Sequence, residues 1–317
     1  MSGLSIRLFG RLSVHCNNRA VRGLNASKVQ ELFCYLLLHR DRPHPREALA
    51  SLLWGDTPTT QSKKYLRQCL WQLQGALPLH GEPVDRRTLR VESEWVQLNS
   101  AAGLQLDVAS FEAAVVAAQG VPIHELDAAQ ARTLQAAADL YQGDLLEGWY
   151  QEWCLYERER LQNLYLTMLD KLMAHCEVHQ QYEAGLSYGT RSLRYDRARE
   201  CTHQRLMRLH YLAGDRAAAL RQYERCVAAL KEELGVTPSE PTVALYEQTR
   251  AGWLDASAVM PRVSNGAHAA LASEFPGVLG RLKQLGAVLA DIQRQIQHDI
   301  QIVERALDAH GESTRPR

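Results

Sequence analysis

The sequence predicts a mainly α protein with a small β component: a winged helix-turn-helix, then tetratricopeptide-like helical repeats, then a long C-terminal helix. Three observations carry this. Over the first hundred residues the apolar pattern switches from period two to the helical period and back. Two later segments match at an offset of 34 residues. A last segment carries a heptad-like apolar seam.

In the first part, Ile6, Leu8, Leu12 and Val14 alternate with polar residues, as in half-buried strands, and Asn17-Asn18 offers a turn before Val21. A helix follows with Ser27 as N-cap and Val29, Leu32, Phe33, Leu36 and Leu37 on one face. A second is expected near Pro45, presenting Ala48, Leu49, Leu52 and Leu53; the Asp56 to Thr60 stretch breaks it. A third is expected from about Ser62 to Leu77, ending before Pro78. Thr88–Val91 and Trp95–Leu98 then read as a hairpin turning at Glu92 to Glu94.

From about Leu106 the pattern is helical nearly throughout. Tyr182 to Leu186 matches Arg216 to Leu220, with Leu172 against Leu206 and Gln181 against Asp215. This 34-residue spacing is the period of tetratricopeptide repeats. Flanking helices are expected over 107–119, 126–141, 151–177 and 242–250. The expected division is therefore 1–100, winged domain; 104–254, repeat domain; 255–277, linker; 278–310, C-terminal helix. Leu285, Leu289, Ile292, Ile296, Ile300 and Val303 line one stripe of that last helix, with a single four-residue stutter. Such a stripe fits a coiled coil joining copies of the chain, or a helix docked back on the repeats.

Composition excludes more than it names. Hydrophobic residues make up 46% and charged residues 23%, with net charge zero. The zero hides an asymmetry: residues 1–99 hold 14 Lys/Arg against 8 Asp/Glu, and the remainder 22 against 28. A basic first third on an acidic body suggests nucleic-acid contact at one end. Seven scattered cysteines show no zinc or redox spacing and read as reduced thiols. The start lacks the pattern of a signal peptide, and no apolar run approaches a membrane span, so a cytoplasmic location is expected. No phosphate-binding loop, nucleophile elbow, acid pair or receiver domain stands out. Neither an enzyme nor a cofactor or metal site is expected. His175 and His179, four apart, read as a surface pair.

The third helix decides the functional reading. On a helical wheel, Leu66, Leu70, Leu73 and Leu77, with Cys69 at the margin, face a core. The other side shows Lys64, Gln68, Trp71, Gln72 and Gly75, flanked by Lys63 and Arg67. Arg, Lys and Gln donate to base edges in a major groove wide enough to admit a helix. Lys63, Thr59 and Thr60 stand at the helix N-terminus, where phosphate oxygens are held. Arg87 and Arg90 of the hairpin are expected to reach phosphates or the minor groove.

Several motifs together resemble the antibiotic-regulatory-protein (SARP) family. They are Leu8-Phe-Gly-Arg-Leu-Ser-Val14, Leu52-Leu-Trp-Gly-Asp56 and Tyr65-Leu-Arg-Gln-Cys-Leu-Trp-Gln-Leu73 in the first half. The second half adds Leu140-Tyr-Gln-Gly-Asp-Leu-Leu146, His203 to Met207, Gly214 to Leu220, Tyr223 and Glu233-Leu-Gly-Val-Thr-Pro238, similar to a bacterial transcriptional activation domain. The resemblance spans roughly 4–254. It implies a winged helix binding direct repeats in promoter DNA as side-by-side protomers, and recruitment of RNA polymerase. Gln72 and Gln74 stand where family members often carry basic residues, and a short helical tail follows the repeats where larger members add nucleotide-binding and sensor domains. A small-molecule or protein effector is a further expected partner of the repeats. The competing function class is a repeat-based protein adaptor without sequence-specific DNA binding.

Overall fold

Two small sheets and ten helices account for the regular structure of the described residues. The structure is a computed structural model, and it describes residues 4–17, 19–21, 23–24, 26–77, 88–99, 103–121 and 126–252. Arg87, the 255–277 segment and the apolar seam of the C-terminal helix lie outside them.

The first sheet has the order β3-β2-β1-β7, from Arg19–Ala20 (β3), Ser13–Cys16 (β2), Leu4–Arg7 (β1) and Leu104–Leu106 (β7). Cys16 pairs with Arg19 across the expected turn, and Asn17 adopts φ 49°, a conformation asparagine tolerates better than most residues. β7 pairs in parallel with β1, Ile6 opposite Leu106. The second sheet has the order β4-β6-β5: His44–Pro45 (β4), Trp95–Leu98 (β6) and Leu89–Val91 (β5). Its hairpin register sets Arg90 opposite Gln97 and Val91 opposite Val96.

Three helices pack on one another, α1 and α2 also against the second sheet. α1 (Ser27–Leu38) buries Val29, Leu32, Phe33, Leu36 and Leu37, the expected face. Its N-cap is Ala26 rather than Ser27, which starts the helix itself, and no side chain caps it. α2 (Arg46–Leu53) starts one residue after Pro45 because that proline closes β4. It buries Leu49, Ala50 and Leu53, while Ala48 and Leu52 are exposed, so the buried face is turned by about one position from the expected one. α3 (Thr59–Ala76) begins three residues earlier than the periodicity suggests, directly after Pro58.

The remaining helices are α4 (Asp107–Ala117), α5 (Ala128–Leu140), α6 (Glu152–Val178), α7 (Tyr182–Leu193), α8 (Glu200–Leu212), α9 (Arg216–Leu234) and α10 (Glu240–Ala251). α7 and α9 start 34 residues apart, as the repeat requires, so α6/α7 and α8/α9 are equivalent hairpins. Gly189 lies where α7 crosses its neighbours. A Cβ there would press into Leu206 and stand 2.8 Å from Met173 Cε, so a side chain is excluded by packing.

A strap joins the first sheet to the helical half. Leu146 N–H donates to the Leu8 carbonyl (2.8 Å), and Gly10 N–H to the Asp144 carbonyl (2.8 Å). The Gly10 carbonyl accepts from Glu147 N–H (2.9 Å); its φ of +84° is a glycine conformation. Arg158 fixes the far side, donating to the carbonyls of Leu145, Leu146 and Trp149 at 2.9–3.0 Å. The buried Asp107 carboxylate accepts from the N–H groups of Leu8 (2.8 Å), Phe9 (3.0 Å) and Val108 (2.7 Å). Phe9 packs on Phe111 and Tyr141, at centroid distances of 5.2 and 4.6 Å, and Tyr141 stacks on Tyr165. One apolar core therefore runs from Leu4 to Leu209 without a break.

Burial also sets the response to acid. His39, His44, His175, His203 and His210 are each held below the usual imidazole value of 6.5, chiefly by desolvation. The unfolded chain then binds more protons than the folded one below that value. Stability is complete above it and declines as pH falls through it, so the urea midpoint is expected to drop between about pH 7.5 and about pH 5.5. A flat profile over that window would mean that these imidazoles titrate normally in the fold.

His175 is buried, not on the surface as its spacing suggests; its ring stacks on His179 at 4.0 Å. Among the described residues no third ligating side chain joins them. Cys34, Cys69, Cys154, Cys176 and Cys226 are buried free thiols, while Cys201 is exposed. No described helix is long and apolar enough to cross a membrane.

Candidate nucleic-acid interface

α3 is built as a two-faced element. Leu66, Cys69, Leu70 and Leu73 are each 4% exposed or less, and Leu77, just past the helix end, is buried with them. This stripe packs on α1 and α2 and fixes the rotation of the helix. The 18 residues of α3 include Lys63, Lys64 and Arg67 and no carboxylate. Its first turn has no acidic residue and no side-chain cap, so the partial positive charge of the helix N-terminus is left for an external anion.

The outer face carries the residues expected of it. Lys64, Arg67, Gln68 and Gly75 are exposed, and Gln72 is half-buried at the margin. Trp71 is 72% exposed, so no element among the described residues covers it. Gly75 leaves open space where a side chain would stand. Lys64 and Arg67 form no ion pair among the described residues, whereas Lys63 is held 2.5 Å from the Glu47 carboxylate. The Lys63 ammonium keeps that carboxylate below its usual titration range. A phosphate approaching Lys63 must therefore compete with Glu47.

The hairpin stands beside α2. Arg46 Nη1 donates to the Glu92 carbonyl (3.1 Å), and Arg46 N–H to the Glu94 carbonyl (2.9 Å), so the turn is tied to the start of α2. Sequence reasoning misses this arginine, since no local motif marks a side chain whose partners lie 46 residues away. Arg90 is half-buried on β5, and its buried Nε has no hydrogen-bond partner. Arg87 and the residues expected to join copies of the chain, Leu285, Leu289, Ile292, Ile296, Ile300 and Val303, are outside the described residues. Exposed cations, amides and one indole on a rigid helix can donate to phosphates and base edges and pack on a sugar or thymine methyl.

Comparison with known proteins places this helix in context. Residues 106–250 match the family described as bacterial transcriptional activator domain. The chain carries a bacterial transcriptional activator domain. The activator domain begins at Leu106, the last residue of β7, and ends within α10. The fold is similar to that of Mycobacterium tuberculosis EmbR, solved in complex with a low-affinity phosphopeptide. The TM-score is 0.62 at 20% identity, over 86% of this chain and 72% of that one. At that identity the likeness concerns the fold: a winged helix-turn-helix ahead of the helical activator domain. No curated protein sequence matches the chain.

Proposed function

We propose that this chain is a sequence-specific DNA-binding transcription activator that reads promoter repeats with α3 in the major groove. The observation that carries the proposal is the outer face of α3: Lys64, Arg67, Gln68 and Trp71 exposed and free of carboxylates on a helix fixed by its buried stripe. Residues 1–100 act as the DNA-binding unit, with Lys63, Gln72, Arg87 and Arg90 as supporting contacts. The activator domain, 104–254, contacts RNA polymerase. Residues 255–277 link it to the 278–310 helix, which joins copies of the chain into an oligomer. The protein acts in the cytoplasm, without a cofactor, and performs no catalysis.

The test is footprinting of the full chain on DNA upstream of its own and neighbouring genes at two salt concentrations. A bounded footprint that weakens steeply with salt supports the proposal, because each phosphate contact releases condensed counterions. A chain that gives no footprint at either salt acts instead as a repeat-based protein adaptor.

A further inference from the structure

We infer that the cleft between the end of α1 and helices α4, α5 and α6 binds a small amphipathic organic anion, a monocarboxylate with an apolar body. The cleft has a volume of about 650 Å³, within the roughly 300–1,000 Å³ usual for small-ligand sites. Its walls are mostly aliphatic: Ala113, Val116, Leu134, Leu164 and Met168. Val116 is 66% exposed, a large apolar side chain left facing water beside the exposed Ala113.

The charge around this cleft is uneven. Arg40 and Arg160 both donate to Glu112, at 2.6 and 2.5 Å, and Arg160 also to Glu157 at 2.8 Å, so these two cations are matched. Lys171 is not. Its half-buried Nζ donates to the carbonyls of Ala118 (2.5 Å) and Val121 (3.5 Å), at and just beyond the end of α4. No carboxylate pairs with it among the described residues. An ammonium has three N–H donors, and carbonyl dipoles offset its charge only in part. One donor and most of the positive charge remain beside an aliphatic wall, where a carboxylate gains more than it would in water. The remaining acid on the rim, Asp41, is exposed and solvated. An apolar body with one negative group satisfies both the walls and Lys171; a polyanion or a neutral sugar satisfies one of them at most.

The position gives occupancy a consequence. Arg40 and Asp41 follow α1, in the half of the chain that carries α3, whereas the other walls belong to the activator domain. An occupant therefore touches both, alongside the Arg40–Glu112–Arg160 contact that already crosses between them.

The test uses anilinonaphthalene sulfonate, an aromatic body with one anionic group, titrated into the full chain without DNA and then displaced by decanoate or decanol. We expect saturable one-to-one binding and displacement by decanoate at concentrations about tenfold lower than decanol. Lys171→Met is expected to weaken the probe about tenfold, and Lys171→Arg to restore it to within about threefold. Ala113→Trp, at an exposed position, fills the cleft and should weaken binding while leaving the thermal midpoint and DNA affinity unchanged. Failure to saturate, equal competition by decanol, or indifference to both Lys171→Met and Ala113→Trp would overturn the inference. Since the titration contains no DNA, that failure leaves the DNA-reading proposal standing, and loss of the latter leaves this one.

Discussion

Replacing Lys64 and Arg67 together by alanine is expected to reduce specific DNA affinity by about 30- to 1,000-fold, the equivalent of roughly 2–4 kcal/mol from two groove contacts. Both side chains are exposed and form no ion pair among the described residues, so neither substitution disturbs the core, and the circular dichroism of the variant should match the parent. The two losses should differ in kind. A residue that meets a phosphate lowers affinity for every sequence and flattens the salt dependence by about one unit of slope; one that meets a base relaxes discrimination at that position. Lys63→Ala should cost less than either, since Glu47 already occupies its ammonium. Unchanged binding by the double variant would remove α3 from the interface.

The second large effect concerns Asp107. Alanine there strips the acceptor from three buried N–H groups, those of Leu8, Phe9 and Val108, and the expected loss is about 3–5 kcal/mol of folding stability. Asparagine keeps one oxygen and removes the buried charge, so its cost should be about half as large. Burial raises the Asp107 carboxyl above its ordinary value despite the three N–H donors. With the folded value above the unfolded one, protonation favours the fold, and the parent loses this contribution as pH rises through the interval between them. A side-chain amide cannot titrate, so Asp107→Asn should lack that acid-side gain in urea melts. A parental midpoint for Asp107→Ala would show that Leu8 and Phe9 find other acceptors.

What could be read from the sequence tracks how local its cause is. The stripe of α3 is legible because Leu66, Cys69, Leu70 and Leu73 follow the helical period over several turns, and a period that long fixes the rotation. The eight residues of α2 are too few to do so, and the structure buries Ala50 where the pattern favours Leu52. β4 and β7, two and three residues long, exist only through their partners, β6 and β1, which are far away in the chain. The site divides the same way. The exposure of Lys64, Arg67, Gln68 and Trp71 follows from the wheel, whereas the Lys63–Glu47 pair and the tether from Arg46 to the hairpin are tertiary and leave no local trace.

The strap between Leu8 and Leu146 also bears on how the chain acquires its fold during synthesis. β1 leaves the ribosome well before its partners, since its parallel neighbour is Leu104–Leu106 and the groups that complete Leu8 and Gly10 lie at residues 144–147. At about 5–20 residues per second, those partners arrive roughly 5–30 s later. For that interval one edge of β1 and the Phe9 ring have no native cover. The first sheet therefore matures late, timed by the translation of residues 104–147, and slowing elongation across them lengthens the window in which that edge can pair with another nascent chain.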